Sequence, residues 1–150
     1  MYKRQLKTVD VAIKKSYEEK QIGVTVGIGE LITTEFYPTY ITKSYDEVIE
    51  RKPLNLPPLS FSTVGMWFII PEVIKKEIED QNLEFDGGIH AVEHAMIAMS
   101  PIFAMCDRWD IGGLSTPLHP NTGNATIFIY DGFEGGIGIS ETLYLSLIHI

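Results

Sequence analysis

At Pro71 the chain changes its periodicity, and that break divides the sequence into two kinds of structure. Before it, "VTVGIGELITTEFYPTYITKSY" and "LSFSTVGMWFIIP" are rich in Val, Ile, Thr, Phe, Tyr and Trp and alternate in part, interrupted by Gly27, Gly29 and Pro38. β-Branched and aromatic residues at a period of two predict strands. After it, "PEVIKKEIEDQN" puts Val73, Ile74 and Ile78 at helical spacing, with Pro71 in a first-turn position and Glu72 near the positive end of the helix dipole. Lys75 and Lys76 read as the solvated face of that helix.

Between these parts, "RKPLNLPPLSF" carries Pro53, Pro57 and Pro58, which remove backbone donors and predict a connector or edge segment before a strand at about 60–70. Further on, Ile89, Val92, Met96, Ile97, Ile102 and Phe103 form an apolar set wide enough to predict a buried helix starting near Asp86 or Gly88, kinked or divided by Pro101. "ATIFIYDG" reads as a buried strand ending in a turn. "GGIGISETLYLSL" reads as a glycine-rich turn feeding a helix, with Ser140 in its first turn or as its cap. The expected class is α+β: an antiparallel sheet in the N-terminal half, followed by packed helices with one late strand.

Composition narrows the function. At 150 residues the chain can bury one core, and 45% hydrophobic with 21% charged residues is the balance of a folded globular domain. The net charge of −8 excludes a broad basic face that would bind nucleic acid unaided. Cys106 is the single cysteine, so neither a disulfide nor a cysteine-based zinc site forms within these residues alone. No stretch approaches the roughly 18 apolar residues of a membrane span, no signal peptide is evident, and a cytoplasmic location without membrane contact is the simplest expectation. The end segments, residues 1–5 and 145–150, look foreign to the fold, which predicts a fragment cut on both sides.

Three segments could carry chemistry. "HAVEH" holds His90, Glu93 and His94 in an H-x-x-E-H order. On a helix, two histidines four apart share a face and could both ligate zinc, with Glu93 as general base on a bound water. A third protein ligand is missing: Glu134 falls in the glycine-rich turn, and Glu141 follows after a short segment. The structural reading is a polar seam in which Glu93 pairs with a histidine. "CDRWDIGG" gathers Cys106, Asp107, Arg108 and Asp110, read either as a metal-carboxylate cluster or as a helix end where the aspartates bond free amides and Gly112 and Gly113 turn left-handed. Cys106 has no base beside it in sequence, which argues against a thiol nucleophile. "YDGFEGGIGISE" places Gly132, Gly135, Gly136 and Gly138 before a helix, where a phosphate could sit, yet it lacks the Lys-Ser/Thr of a P-loop. A tight turn, with Asp131 as a turn residue, is the plainer reading.

Taken in order, "LPPLSFSTVGMWFIIP" and "GIHAVEHAMIAMSPIFAMCDRWDIGGLSTPLHPNTGNATIFIYDGFEGGIGISE" form a series that resembles the C-terminal zinc-binding domain of MrfA-type DEAD/DEAH-box helicases. The resemblance runs from about residue 53 to 144 and more loosely back to about 20, so residues 20–144 are expected to be one accessory domain. It implies a parent that is an ATP-dependent, 3′-to-5′ DNA translocase acting in DNA repair. ATP with magnesium would bind motor lobes outside this chain, and zinc would bind four cysteines beyond the helix that starts near Ser140. No metal ligand and no catalytic residue is therefore expected here, and no cofactor within the fragment. The implied partners are the motor domains of the same chain and, through the full-length protein, DNA. His90, Glu93, His94, Asp107, Arg108, Asp110 and Asp131 are read as an internal polar network joining helix, turn and loop, because buried charge needs partners. The rival functions are a zinc hydrolase built on His90, Glu93 and His94, and an acidic protein-interaction module.

Overall fold

In the computed structural model, residues 2–13, 19–21, 23–45 and 47–149 are described. Met1 and Ile150, the outermost residues of the two end segments, lie outside them. The strands are β1 (Tyr2–Ile13), β2 (Glu19–Gln21), β3 (Val24–Ser44), β4 (Glu47–Pro53), β5 (Leu59–Ile70), β6 (Ile111–Thr116) and β7 (Ala125–Asp131). The helices are α1 (Glu72–Asp80), α2 (Phe85–Phe103) and α3 (Ile139–His149), with a 3-10 turn at Arg108–Asp110.

All pairings are antiparallel, in the order β1-β3-β5-β7-β6, with β2 and β4 added along the long β3. Pro38 sits inside β3, where the β1 register shifts between Arg4/Thr39 and Leu6/Phe36. That bulge accommodates the missing donor without ending the strand. β1 starts at Tyr2, so the backbone of the N-terminal segment set aside on sequence grounds is paired with β3.

The α+β class holds, but the C-terminal half contributes two strands rather than one late strand. "IGGLST" is β6, an edge strand on β7, and not a turn after a helix. Gly112 and Gly113 accordingly have extended backbone and are absent from the positive-φ glycines, which correct the expected left-handed turn. They matter for space instead. A Cβ on Gly112 would meet the Tyr130 ring on one face, and a Cβ on Gly113 would lie 2.8 Å from Glu93 Oε1 and 2.9 Å from Ile97 Cδ1 on the other. Without side chains there, α2 settles directly onto β6.

β7 is buried at every position. Its period of two sends Ala125, Ile127 and Ile129 into a core with Phe85, Ile89 and Ile97 of α2 and Ile139 and Leu143 of α3. Phe128 and Tyr130 point the other way, into a second core with Val9, Leu31 and Trp67. A sheet covered on both faces explains why this strand is a continuous apolar run. The sheet curls far enough that the β6–β7 connection bonds β1: His119 Nε2 donates to Val9 O at 2.7 Å and Val11 N donates to Asn121 Oδ1 at 3.3 Å.

α2 is one helix of 19 residues, and Pro101 does not divide it in two. The proline falls two positions before the last residue, where its missing N–H costs the Ile97 carbonyl its i+4 donor, and Ala104 N closes the last turn on Ser100 O at 2.9 Å. Pro71 is the cap of α1 rather than its first residue.

Candidate functional site

The residues singled out in sequence sort into three clusters. On α2, His90, Glu93 and His94 stand at i, i+3 and i+4 and share one face. Glu93 is buried at 6% exposure while both histidines are exposed. Its carboxylate is held by Ser115 of β6, whose hydroxyl donates to Glu93 Oε2 at 2.6 Å. His90 Nδ1 lies 3.2 Å from the same Oε2 and 3.2 Å from Ser115 Oγ. With the serine proton committed to Glu93, both neighbours of His90 Nδ1 are acceptors, so that nitrogen carries the hydrogen. His90 Nε2 is then a free lone pair, and it faces His94 Nε2 at 3.1 Å, the two rings 4.5 Å apart and nearly perpendicular at 85°.

The second cluster is the turn between α2 and β6. Asp107 N donates to Asp110 Oδ2 at 2.7 Å in a capping box around Arg108–Asp110. Gly132 N donates to Asp110 O at 2.7 Å, which ties the turn to the loop after β7. Arg108 and Trp109 are exposed, Trp109 at 88%. They border a cleft of about 490 Å³ that Glu93, His94, Gly113, Tyr130 and Glu35 also line. The triplet and the turn thus share a cleft, although the bonds that hold each are separate. Cys106 beside the turn has its thiol pushed above the ordinary range, first by burial and then by the charges of Asp110, Asp107 and Asp131.

The third cluster is Asp131, which has no exposed surface. Oδ2 accepts from the amides of Ile137 at 2.7 Å, Gly138 at 2.9 Å and Ile139 at 3.3 Å. Oδ1 accepts from Ser140 N at 2.8 Å and Ser140 Oγ at 2.6 Å. The amides at the start of α3, where a phosphate would have had to sit, are filled by this carboxylate. Gly135, Gly136 and Gly138 have φ of 81°, 76° and 87°, the left-handed geometry that wraps the loop around Asp131. Ser140 acts in the first turn as read from the sequence. Ser115 and Trp109 were not singled out there, since nothing local marks a serine in an edge strand or one exposed indole.

Residues 92–149 match the MrfA Zn-binding domain family. That match covers 58 of the 150 residues. Over 145 residues, 93% of the chain, it is 30% identical to the ATP-dependent helicase YprA of Bacillus subtilis, of which it spans 18%. A Methanocaldococcus jannaschii protein is 46% identical over 59 residues, 37% of this chain and 53% of that one. The fold is shared with the crystal structure of the helicase MrfA bound to DNA, at a TM-score of 0.75 and 19% identity, over 98% of this chain and 19% of that one.

The family name implies zinc. A closed structural site takes four protein ligands, commonly cysteine-rich. The chain holds one cysteine, so these residues alone do not build a site of several cysteines. Among the described residues, His90, Glu93 and His94 form a group with ligand atoms within 4.8 Å of one another, which suits an open site with at most three protein ligands.

Proposed function

We propose that this chain is the accessory, non-catalytic part of an ATP-dependent DNA helicase. The observation that carries the reading is the extent of the match: sequence similarity covers 93% of this chain but 18% of a helicase, so the chain corresponds to one region of a much larger motor protein. The DNA-bound state of the helicase that shares the fold supports DNA as the parent's partner, with the motor domains of the same polypeptide as neighbours.

The site chemistry agrees. The glycine-rich turn has no Lys-Ser/Thr for a nucleotide, and Asp131 occupies its amides. Glu93 bonds His90 on the nitrogen away from His94 and is clamped by Ser115, a positioning arrangement rather than that of a general base. The acidic balance of the chain leaves phosphate attraction to other parts of the parent. We place residues of about 20–144 in the accessory unit, the parent in the cytoplasm, and its activity in 3′-to-5′ translocation during DNA repair; no described helix is long and apolar enough to cross a membrane. We assign Glu93, the Asp107–Asp110 turn and Asp131 to holding helix, turn and loop together.

The test compares the complete parent protein with a version lacking this region, measuring ATP hydrolysis, single-stranded DNA affinity across a salt series, and unwinding with 3′ and 5′ overhangs. Retained basal ATP hydrolysis with impaired DNA binding or unwinding is expected. Complete helicase function without the region would overturn the assignment.

A further inference from the structure

We propose that His90 and His94 form a binding site for a divalent transition metal of the zinc class, separate from any cysteine site of the parent. The geometry is nearly that of a ligated pair. Two nitrogens on a tetrahedral zinc, with Zn–N bonds of about 2.0–2.1 Å, stand about 3.3 Å apart. His90 Nε2 and His94 Nε2 already stand at 3.1 Å. Side chains at i and i+4 on one rigid helix hold that spacing without a loop to order.

The tautomer is also prepared. Metal-ligating histidines characteristically donate their other N–H to a carboxylate, which fixes the ring and raises its basicity. Here His90 Nδ1 faces the buried Glu93 carboxylate at 3.2 Å, and Ser115 anchors that carboxylate at 2.6 Å. The lone pair is left on Nε2, on the side where an ion would bind. In its absence the His94 Nε2–H donates to that lone pair, a single exposed hydrogen bond of the kind worth about 0.5–1.5 kcal/mol. Ion binding requires His94 to change tautomer, its Nε2 proton passing to solvent while Nδ1 takes one up, so that both imidazoles stay neutral and each offers an Nε2 lone pair.

Both imidazoles are exposed, so an ion enters directly from solvent and water completes its coordination. His94 also lines the 490 Å³ cleft, which puts the open positions of the ion at the cleft rim near Arg108 and Trp109. Imidazole donors favour zinc, nickel and copper over magnesium or calcium.

The test is calorimetric titration of the metal-free chain with zinc sulfate, with the visible absorption of cobalt(II) as a second readout. One ion per chain is expected. His90→Ala and His94→Ala should each weaken binding at least tenfold, and Ser115→Ala about tenfold through the loosened Glu93, in line with the roughly 10–100-fold effect of such supporting groups. Glu141→Gln, on the exposed face of α3, is the control and should leave binding unchanged. Because both ligating histidines are exposed, their variants keep the fold, and far-ultraviolet circular dichroism checks this; His94→Gln provides a second replacement. No saturable zinc or cobalt binding, or equal affinity in the His90 and His94 variants, would overturn the proposal without touching the helicase reading.

Discussion

Replacing Asp131 should cost this fold more than any surface change, because one carboxylate there satisfies five donors. In Asp131→Ala the amides of residues 137–140 lose their acceptor together, while the Ser140 hydroxyl is left with Val64 O at 3.3 Å. Ile137 and Gly138 are partly open, and water can reach their amides. Ile139 and Ser140 are buried at 7% and 1% exposure, and theirs are stranded. At about 1–3 kcal/mol for each buried unsatisfied donor, the two contribute roughly 2–6 kcal/mol, and the lost cap is part of that sum rather than an addition to it. We expect about 4 kcal/mol, a large share of the roughly 5–15 kcal/mol that holds a domain together. With a urea dependence of about 2 kcal/mol per molar, the unfolding midpoint should fall by about 2 M. Asp131→Asn keeps one oxygen for the amides at 137–139 but turns an NH2 toward Ser140 N, and should lose about half as much. Urea unfolding followed by tryptophan fluorescence and circular dichroism reads both. A midpoint shift below about 0.3 M for Asp131→Ala would refute the claim that this carboxylate organises the start of α3.

Gly113→Ala should cost about 1–3 kcal/mol in urea unfolding, because its Cβ presses on Glu93 and Ile97, and the displaced Glu93 should also weaken metal binding in the same titration. His119→Ala should destabilise by about 2–4 kcal/mol, since it leaves Val9 O without its donor and opens a gap beside Phe128, whose ring lies 4.7 Å away; an unchanged melting temperature would count against His119 as the tie between β1 and the β6–β7 connection. Cys106 should react with iodoacetamide more slowly in the folded than in the unfolded chain at pH 8, because burial and three nearby aspartates disfavour its thiolate. The linked sign follows: above the ordinary thiol range the unfolded chain releases its proton first, so stability falls as pH rises and levels off beyond the folded value. A Cys106→Ser chain should lack that alkaline decline.

The elements carried by local pattern were legible. β5, α1, α2 and β7 follow from alternation, helical spacing and an apolar run, and the H-x-x-E-H order by itself places two imidazoles on one helical face. β6 was not legible, because "IGGLST" has no periodicity and becomes a strand only when β7 offers it an edge. Ser115, the partner that immobilises Glu93, is 22 residues distant in sequence and is brought close by the glycine that lets α2 sit on β6. The polar residues read from the sequence as one network hold their side-chain bonds in three sets, with the cleft as the space that the first two share and the Gly132–Asp110 backbone bond joining turn to loop.

Sequence alone determined what each segment could do by itself: the change at Pro71, the helical face of the histidines, and the exclusion of a cysteine zinc site by a single thiol. The tertiary structure decided which groups meet. Asp131 looks like any turn aspartate until its carboxylate is seen inside the start of α3, and a lone histidine pair looks bland until Glu93 and Ser115 are seen to orient it. Periodicity is a property of neighbours along the chain, whereas hydrogen bonds are satisfied by neighbours in space, and burial makes the second requirement binding.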